Sequence, residues 1–173
     1  ITAGTGKLGL TSAGAINQTA GTVSVSGTTT LEAAPGSDIT LNQATNNFAT
    51  VAVTSANNVT LRDSGAINLG TSTVNGALSV TAGGKIDFTG AGASTVGTTM
   101  GLTTTAGGID DSGAGSLAVT GVSTLDATGV GNNITLNNAS NNFSTVTVTN
   151  GNNVTLRDTN AIDLGDLSVG GTL

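Results

Sequence analysis

The chain lacks four residue types altogether, because none of its 173 residues is Cys, His, Trp or Tyr. Without Cys it forms no disulfide and has no thiol chemistry, which suits a protein that crosses a pore before it folds. It also has only one Pro and three Phe. We therefore expect a narrow core made of Val, Ile, Leu and Ala side chains.

Charge is scarce as well, at 8 % of residues, with a formal net charge of −6. The four cationic residues are Lys7, Arg62, Lys85 and Arg157. So acidic a balance makes nucleic acid an unsuitable partner. No apolar run approaches the roughly 18 residues that a membrane-spanning helix needs, so no membrane span is predicted.

What the chain does have is an internal repeat. The run ITLNQATNNFATVAVTSANNVTLRDSGAINLG from Ile39 returns from Ile134 as ITLNNASNNFSTVTVTNGNNVTLRDTNAIDLG. The offset is 134 − 39 = 95 residues, and it still pairs Leu78 with Leu173. A fixed internal period indicates units that stack on one another. We expect residues 1–173 to be one segment of two units, 1–95 and 96–173, the second incomplete, cut from a longer chain.

Within each unit, three-residue pieces with an apolar, a small polar and an apolar residue recur. Such alternation predicts short strands, and Gly residues or Asn pairs separate the pieces as turns would. Successive pieces of one set lie about 15 to 23 residues apart, and the 95-residue period divides into five steps of 19. A step of about 19 or 20 residues is the length of one solenoid coil. The expected fold is an all-β parallel β-helix of about nine coils, five to each 95-residue unit. The structural alternative is an array of immunoglobulin-like sandwiches, which would have longer strands and a buried aromatic residue.

Some hydrolases and lyases also use β-helices, so the carboxylates need attention. General acid–base catalysis requires clustered carboxylates, usually beside a basic group. The candidates are Asp87, Asp163, the pair Asp110-Asp111, and the pairs Arg62-Asp63 and Arg157-Asp158. We interpret the Arg-Asp pairs as surface turn pairs worth under about 1 kcal/mol, and Asp110-Asp111 as a turn without a basic partner close in sequence. The sequence thus predicts no enzyme: no catalytic residue and no cofactor-binding residue.

Metal, sugar and ice sites are equally weakly indicated. GGKIDF at Gly83 and GGIDDSG at Gly107 only partly match the tandem calcium-binding nonapeptide, so we interpret them as tight corners and predict no metal site. Phe48 and Phe143 follow Asn pairs and are interpreted as core or corner fillers rather than a sugar platform. The Asn pairs themselves are expected at corners, where stacked coils allow side-chain ladders. The outward strand positions form no unbroken Thr column for ice binding: Thr40, Ala52, Thr60, Asn68, Ser79, Asp87, Thr135, Thr147, Thr155 and Asp163.

The coil period, the Gly, Ala, Thr, Val and Asn bias, and the phrase NNFATVAVTSANNVTLRDSGAINLG resemble the repeats of filamentous haemagglutinin-type adhesins. GTTTLEA at Gly27 and GVSTLDA at Gly121 fit the same style. The resemblance covers essentially the whole chain. It implies a right-handed parallel β-helix shaft, export by two-partner secretion, and a role in surface attachment or in a matrix.

We therefore expect the structural shaft of a secreted bacterial fibrous adhesin or extracellular matrix protein, located outside the cell or on its surface. Its expected partners are cell-surface or matrix components and neighbouring copies of the same fibre. The alternative is a fibre subunit that assembles end to end through its exposed end coils. A β-helix carbohydrate-active enzyme and an ice-binding solenoid are the less favoured alternatives.

Overall fold

Strands form wherever apolar and small polar residues alternate, and a computed structural model describes them over all residues, 1–173. Ile39–Leu41 is typical, since its two outer side chains are buried and the side chain of Thr40 is partly exposed. The 19 strands are β1 (Thr2–Ala3), β2 (Leu8–Ser12), β3 (Ile16–Asn17), β4 (Ser24–Ala33), β5 (Ile39–Leu41), β6 (Asn47–Ser55), β7 (Val59–Asp63), β8 (Ile67–Leu69), β9 (Thr73–Val74), β10 (Leu78–Ala82), β11 (Ile86–Phe88), β12 (Ser94–Val96), β13 (Met100–Thr104), β14 (Ile109–Asp110), β15 (Leu117–Ala127), β16 (Ile134–Leu136), β17 (Asn142–Gly151), β18 (Val154–Leu156) and β19 (Asp163–Val169). There is no helix.

The chain winds these strands alternately into two parallel sheets. Sheet A runs β1-β4-β6-β8-β11-β14-β16-β18, with β2 also paired to β4. Sheet B runs β3-β5-β7-β10-β13-β15-β17-β19, and the short strands β9 and β12 join it through β15. Every strand pairs in parallel with a strand from the neighbouring coil. The fold is the predicted right-handed parallel β-helix.

The coils are fewer and longer than predicted. Sheet B contains eight successive rungs from β3 to β19, so the stack has about eight coils rather than nine. Only seven steps lead from Ile16 on the first rung to Leu164 on the last, so the average coil is longer than the sequence period suggested. The steps are unequal: the shortest joins Val146 to Leu164, and the step from Ile16 to Ile39 is among the longest.

The 95-residue unit also spans a different number of coils from the five predicted. Ile39 lies on sheet B, and four steps along that sheet lead through Val59, Leu78 and Met100 to Ser123. Ile134, the counterpart of Ile39, comes half a coil later and lies on sheet A. The unit is therefore four and a half coils long. The sequence pattern missed this because strands of the two sheets carry the same apolar alternation.

Four strands are at least three times as long as the three-residue pieces in the sequence. These strands, β4, β6, β15 and β17, contain 9 to 11 residues. In β4 the register shifts between Val25 and Thr28, and in β15 it shifts between Val119 and Val122. Each long strand thus pairs in two parts on either side of an irregularity, and such bulges bend a strand without ending it.

The core is one continuous cluster of 34 buried apolar residues along the axis. Two hydroxyl groups interrupt it at equivalent places in the two units. Thr29 stacks between Leu8 and Val51, and Ser123 stacks between Met100 and Val146. Both residues are fully buried, and neither hydroxyl has a hydrogen-bond partner.

Replacing Thr29 by Val should stabilise the protein. The substitution keeps the shape of the side chain and removes a buried polar group without a partner, which costs about 1 kcal/mol or more. We expect the free energy of unfolding in urea to rise by about 1 kcal/mol. Thr30→Val is the matched control, because Thr30 is exposed and should change stability by less than about 0.5 kcal/mol. A Thr29→Val variant no more stable than the wild type would contradict the conclusion that the Thr29 hydroxyl is buried without a hydrogen-bond partner.

Candidate functional site: side-chain clamps between coils

Buried Asn46 is the centre of a clamp that joins two neighbouring coils. Its Oδ1 accepts a hydrogen bond from the backbone N of Val23 at 2.9 Å. Its Nδ2 donates to the Oε1 of Gln18 at 2.7 Å and to the carbonyl of Leu41 at 3.2 Å. Because Asn46 is fully buried, these partners replace the water that its amide would otherwise bind.

The second unit builds the same clamp with a carboxylate. Asn141, the counterpart of Asn46, accepts from the backbone N of Leu117 at 2.9 Å and donates to Asp111 Oδ2 at 2.7 Å. Asp111 also accepts from the backbone N atoms of Asn137 and Asn138, each at 3.0 Å. It is only 4 % exposed. The prediction of a turn at Asp111 is therefore wrong: Asp111 is a buried acceptor that joins two coils.

A second kind of clamp occurs once in each unit, at Asp63 and at its counterpart Asp158. Asp63 accepts a hydrogen bond from the backbone N of Phe48 through Oδ2, and one from Gly65 through Oδ1 at 2.7 Å. Asp158 Oδ1 accepts from the backbone N of Phe143 at 2.9 Å. Burial raises the pKa of Asp63, and the two backbone donors oppose the rise. Phe48 and Phe143 are buried, so their predicted role as fillers is confirmed.

The prediction that the Arg-Asp pairs are surface turn pairs is therefore wrong. Neither Arg62 and Asp63 nor Arg157 and Asp158 form an ion pair. Both arginines are exposed. The physical reason is the alternation of the strand: Arg62 points outward from β7, whereas the next residue, Asp63, points inward and is buried.

The Asn pairs form ladders at the corners, as predicted. Asp38 Oδ1 accepts from the Nδ2 of Asn57 at 2.9 Å and from the backbone N of Asn58 at 2.9 Å, and Asn58 Oδ1 accepts from the backbone N of Ala77 at 2.9 Å. These hydrogen bonds lower the pKa of Asp38, that from the Asn58 backbone most of all. In the second unit Asn133 takes the place of Asp38. No Asn adopts a left-handed backbone, so the Asn residues contribute to these ladders without the backbone conformation that Asn tolerates at tight turns.

Lys85 bridges two carboxylates on neighbouring rungs of sheet A. Its Nζ lies 3.0 Å from Asp87 Oδ2 and 3.1 Å from Asp110 Oδ2. Asp87 and Asp110 face each other in register, an arrangement that is destabilising for like charges. Lys85 offsets that repulsion. Burial lowers the pKa of Lys85, but the bonds and charges of the two carboxylates outweigh it, so the net shift is upward.

Asp110 thus has a basic partner that is distant in sequence. The sequence did not reveal it because Lys85 lies 25 residues earlier, on the preceding coil. Asp87 accepts in addition from the hydroxyl of Ser112 at 2.9 Å. Asp163 is exposed at the start of β19. The structure thus brings Asp87 and Asp110 together at Lys85, whereas the buried carboxylates of Asp63 and Asp111 bond to backbone and amide groups.

The glycine pairs lie at tight corners, as predicted. Gly107 and Gly108 have φ of +79° and +77°, a backbone region that other residues rarely adopt. At Gly83 a β-carbon would collide with the carbonyl of Ser64 in the preceding coil. No group of three or more Asp or Glu residues is placed to hold a metal ion.

The outer face of sheet B is a column of small polar residues. Thr40, Thr60, Ser79, Gly101, Thr124 and Thr147 stack in register along it. Gly101 interrupts the column of hydroxyls, so the face lacks the regular array expected of an ice-binding surface. No helix is long and apolar enough to cross a membrane.

The side chains of these clamps join neighbouring coils through hydrogen bonds and through the Lys85 bridge. Asn46 and Asp111 were not singled out by sequence reasoning as clamps, although one signal was available. Asn46 and Asp63 recur unchanged at 141 and 158 while neighbouring polar positions vary, for example Gln43 against Asn138. Identity between two copies in one chain thus marks the residues that close the corners.

Comparison with known proteins gives one match. A family model described as repeats of unknown function (DUF5649) matches residues 1–55, 56–99, 89–150 and 151–173, which together cover the whole chain. No curated protein and no solved structure matches.

Asn46→Ala should destabilise the protein by about 2–3 kcal/mol, because it leaves the buried backbone N of Val23 without its acceptor and removes the bonds to Gln18 and Leu41. Asn47→Ala is the matched control, since Asn47 is adjacent but exposed. Urea unfolding followed by circular dichroism measures both. Equal effects of the two substitutions would contradict the clamp.

The Lys85 bridge predicts a loss of stability at alkaline pH. A raised pKa means that the folded state holds the Lys85 proton more tightly, so this contribution is present below pH 10.5 and is lost as the pH rises through the shifted pKa. The chain has no Tyr, Cys or His, so these residue types add nothing to an alkaline change in stability. Lys85→Met should abolish the alkaline loss in thermal unfolding between pH 9 and about pH 12, while Lys7→Met should retain it. A retained loss in the Lys85 variant would argue against the bridge.

Proposed function

The chain belongs to the DUF5649 family of repeats, and from that premise we propose that it is the structural shaft of a secreted bacterial fibrous adhesin or extracellular matrix protein. The observation that carries this proposal is the unbroken stack, with one core cluster from Val23 to Val154. Such a rod acts by holding other parts of a fibre at a fixed distance from the cell surface.

Rigidity is what a spacer requires, and the clamps supply it. Each coil bonds to the next through parallel strand ladders and, at the corners, through Asn and Asp side chains. Bending the rod would open the spacing on one side and break these bonds. A solenoid therefore resists bending more strongly than a flexible polar linker of equal length.

Composition supports a location outside the cell. A chain without Cys and with 8 % charged residues suits passage through a pore in an unfolded state, followed by folding without disulfide formation. Stacking of nearest neighbours lets folding propagate from coil to coil as the chain emerges. The resemblance to two-partner-secretion adhesins favours the same location and favours cell-surface or matrix components as partners.

A second candidate is a fibre subunit that assembles end to end. It is favoured by the way the coils pair, because every rung bonds in parallel to the rung of a neighbouring coil and an unpaired rung would bind a further strand in the same way. Size-exclusion chromatography with light scattering over a range of concentrations separates the candidates. Short monomeric rods at all concentrations would exclude the self-assembling fibre.

The shaft proposal predicts a fixed distance along the rod. Thr28 and Thr155 lie six rungs apart in one column of sheet A, which corresponds to about 29 Å at about 4.8 Å per rung. Spin labels on a Thr28→Cys/Thr155→Cys variant should give a narrow distance distribution near this value by double electron–electron resonance. A flexible chain of the same 127-residue separation would average roughly 60 Å with a broad spread.

The location is tested on producing cells. Proteinase treatment of intact bacteria, followed by detection with an antibody against the chain, should remove or shorten the protein while a cytoplasmic marker survives. Protection of the chain until the cells are lysed would contradict its placement on the cell surface.

A further inference from the structure

The two units have the same pattern of strands, but equivalent strands lie in opposite sheets. Ile39 and Val59 pair in sheet B, whereas their counterparts Ile134 and Val154 pair in sheet A. The corner ladder follows the same exchange: Asn58 accepts from the backbone N of Ala77, and one unit later Asn153 accepts from the backbone N of Thr172 at 3.0 Å. One unit therefore passes into the next by a half turn about the axis combined with a shift along it.

The half turn follows from the number of coils per unit. Four and a half coils return the chain to the same kind of strand, but on the opposite sheet. A unit of four or five whole coils would instead place every counterpart in the same column. Because the backbone bonds are repeated group for group in both units, the half turn is a property of the unit and not of one irregular coil.

We propose that this geometry makes the rod two-sided: the outer surface that a unit presents on one flank recurs on the opposite flank in the next unit. The exposed arginines illustrate it. Arg62 projects beyond sheet B in the first unit, and its counterpart Arg157 lies on the side of sheet A in the second.

The acidic residues follow the same rule. Glu32 lies on the outer face of sheet A and its counterpart Asp126 lies in sheet B. Sheet B consequently carries both Arg62 and Asp126, one from each unit. Each flank thus carries both acidic and basic side chains.

The outer surface truly repeats only after two units, whereas the sequence repeats after one. Adding or removing one unit rotates all later coils by half a turn.

Two pairs of spin labels test the half turn through the order of their distances. Thr147 lies five rungs from Thr40 on the same face of sheet B, about 24 Å along the axis. Thr135 lies only four and a half coils from Thr40, about 22 Å along the axis, but on the outer face of sheet A. Since the labels then point in opposite directions, we expect Thr40→Cys/Thr135→Cys to give the longer distance.

A unit of five whole coils predicts the reverse order, because Thr135 would share the face of Thr40 and Thr147 would lie on the opposite one. The longer distance for the Thr40 and Thr147 pair would therefore overturn the proposal. Two control pairs, Thr40 with Thr60 and Thr135 with Thr155, are neighbours on adjacent rungs. Strong dipolar broadening in both pairs verifies that the labelled coils are still stacked, so the order of the two long distances remains decisive.

Discussion

The open edge of each coil is the constraint on which the whole structure depends. A parallel coil leaves its backbone donors and acceptors pointing along the axis, and the next coil must satisfy them. Strand ladders do this along the two sheets. At the corners the backbone turns away from the ladder direction, and side chains replace the missing backbone partners. The recurrence of Asn46, Asn58 and Asp63 at equivalent positions of the second unit follows from this need.

The same constraint accounts for the composition of the chain. Corner positions need short side chains with both donors and acceptors, which favours Asn, or close backbone approach, which favours Gly. Interior positions need flat apolar side chains that stack on copies of themselves, which favours Val, Ile and Leu. Little space remains for large aromatic residues, and the two that are most deeply buried, Phe48 and Phe143, lie where long strands pass a corner.

The fold class could be predicted from the sequence because alternation, turn residues and the 95-residue period all indicate stacked parallel strands. The number of coils could not, since a sequence period counts residues and not turns. Sheets A and B carry the same alternation, so Ile39 and Ile134 look equivalent although they lie on opposite sheets. The clamps were partly hidden for a related reason. Asp63 follows Arg62 in the sequence and suggested a surface pair, but its bonding partner is the backbone N of Phe48, 15 residues earlier.

Acidic residues in this chain show how position decides the role of one chemical group. Asp111 is a buried acceptor for backbone groups, Asp110 shares Lys85 with Asp87, and Asp163 is exposed. All three carboxylates lie in or beside short strands, and the sequence alone does not distinguish them. Their neighbours on the coils before and after do so, because side-chain environments in a solenoid are made mainly by residues about 20 positions away.

Native-state hydrogen exchange of individual amides, followed by nuclear magnetic resonance, tests the account most directly. The central claim is that coils stack through backbone ladders and that side chains close their corners. It predicts slow exchange in the middle rungs, from β7 to β16, and similar protection for the corner amides of Ala77 and Leu117, whose acceptors are the side chains of Asn58 and Asn141. Exchange of Ala77 and Leu117 at the rate of an unstructured peptide, while the strand amides stay protected, would contradict the claim.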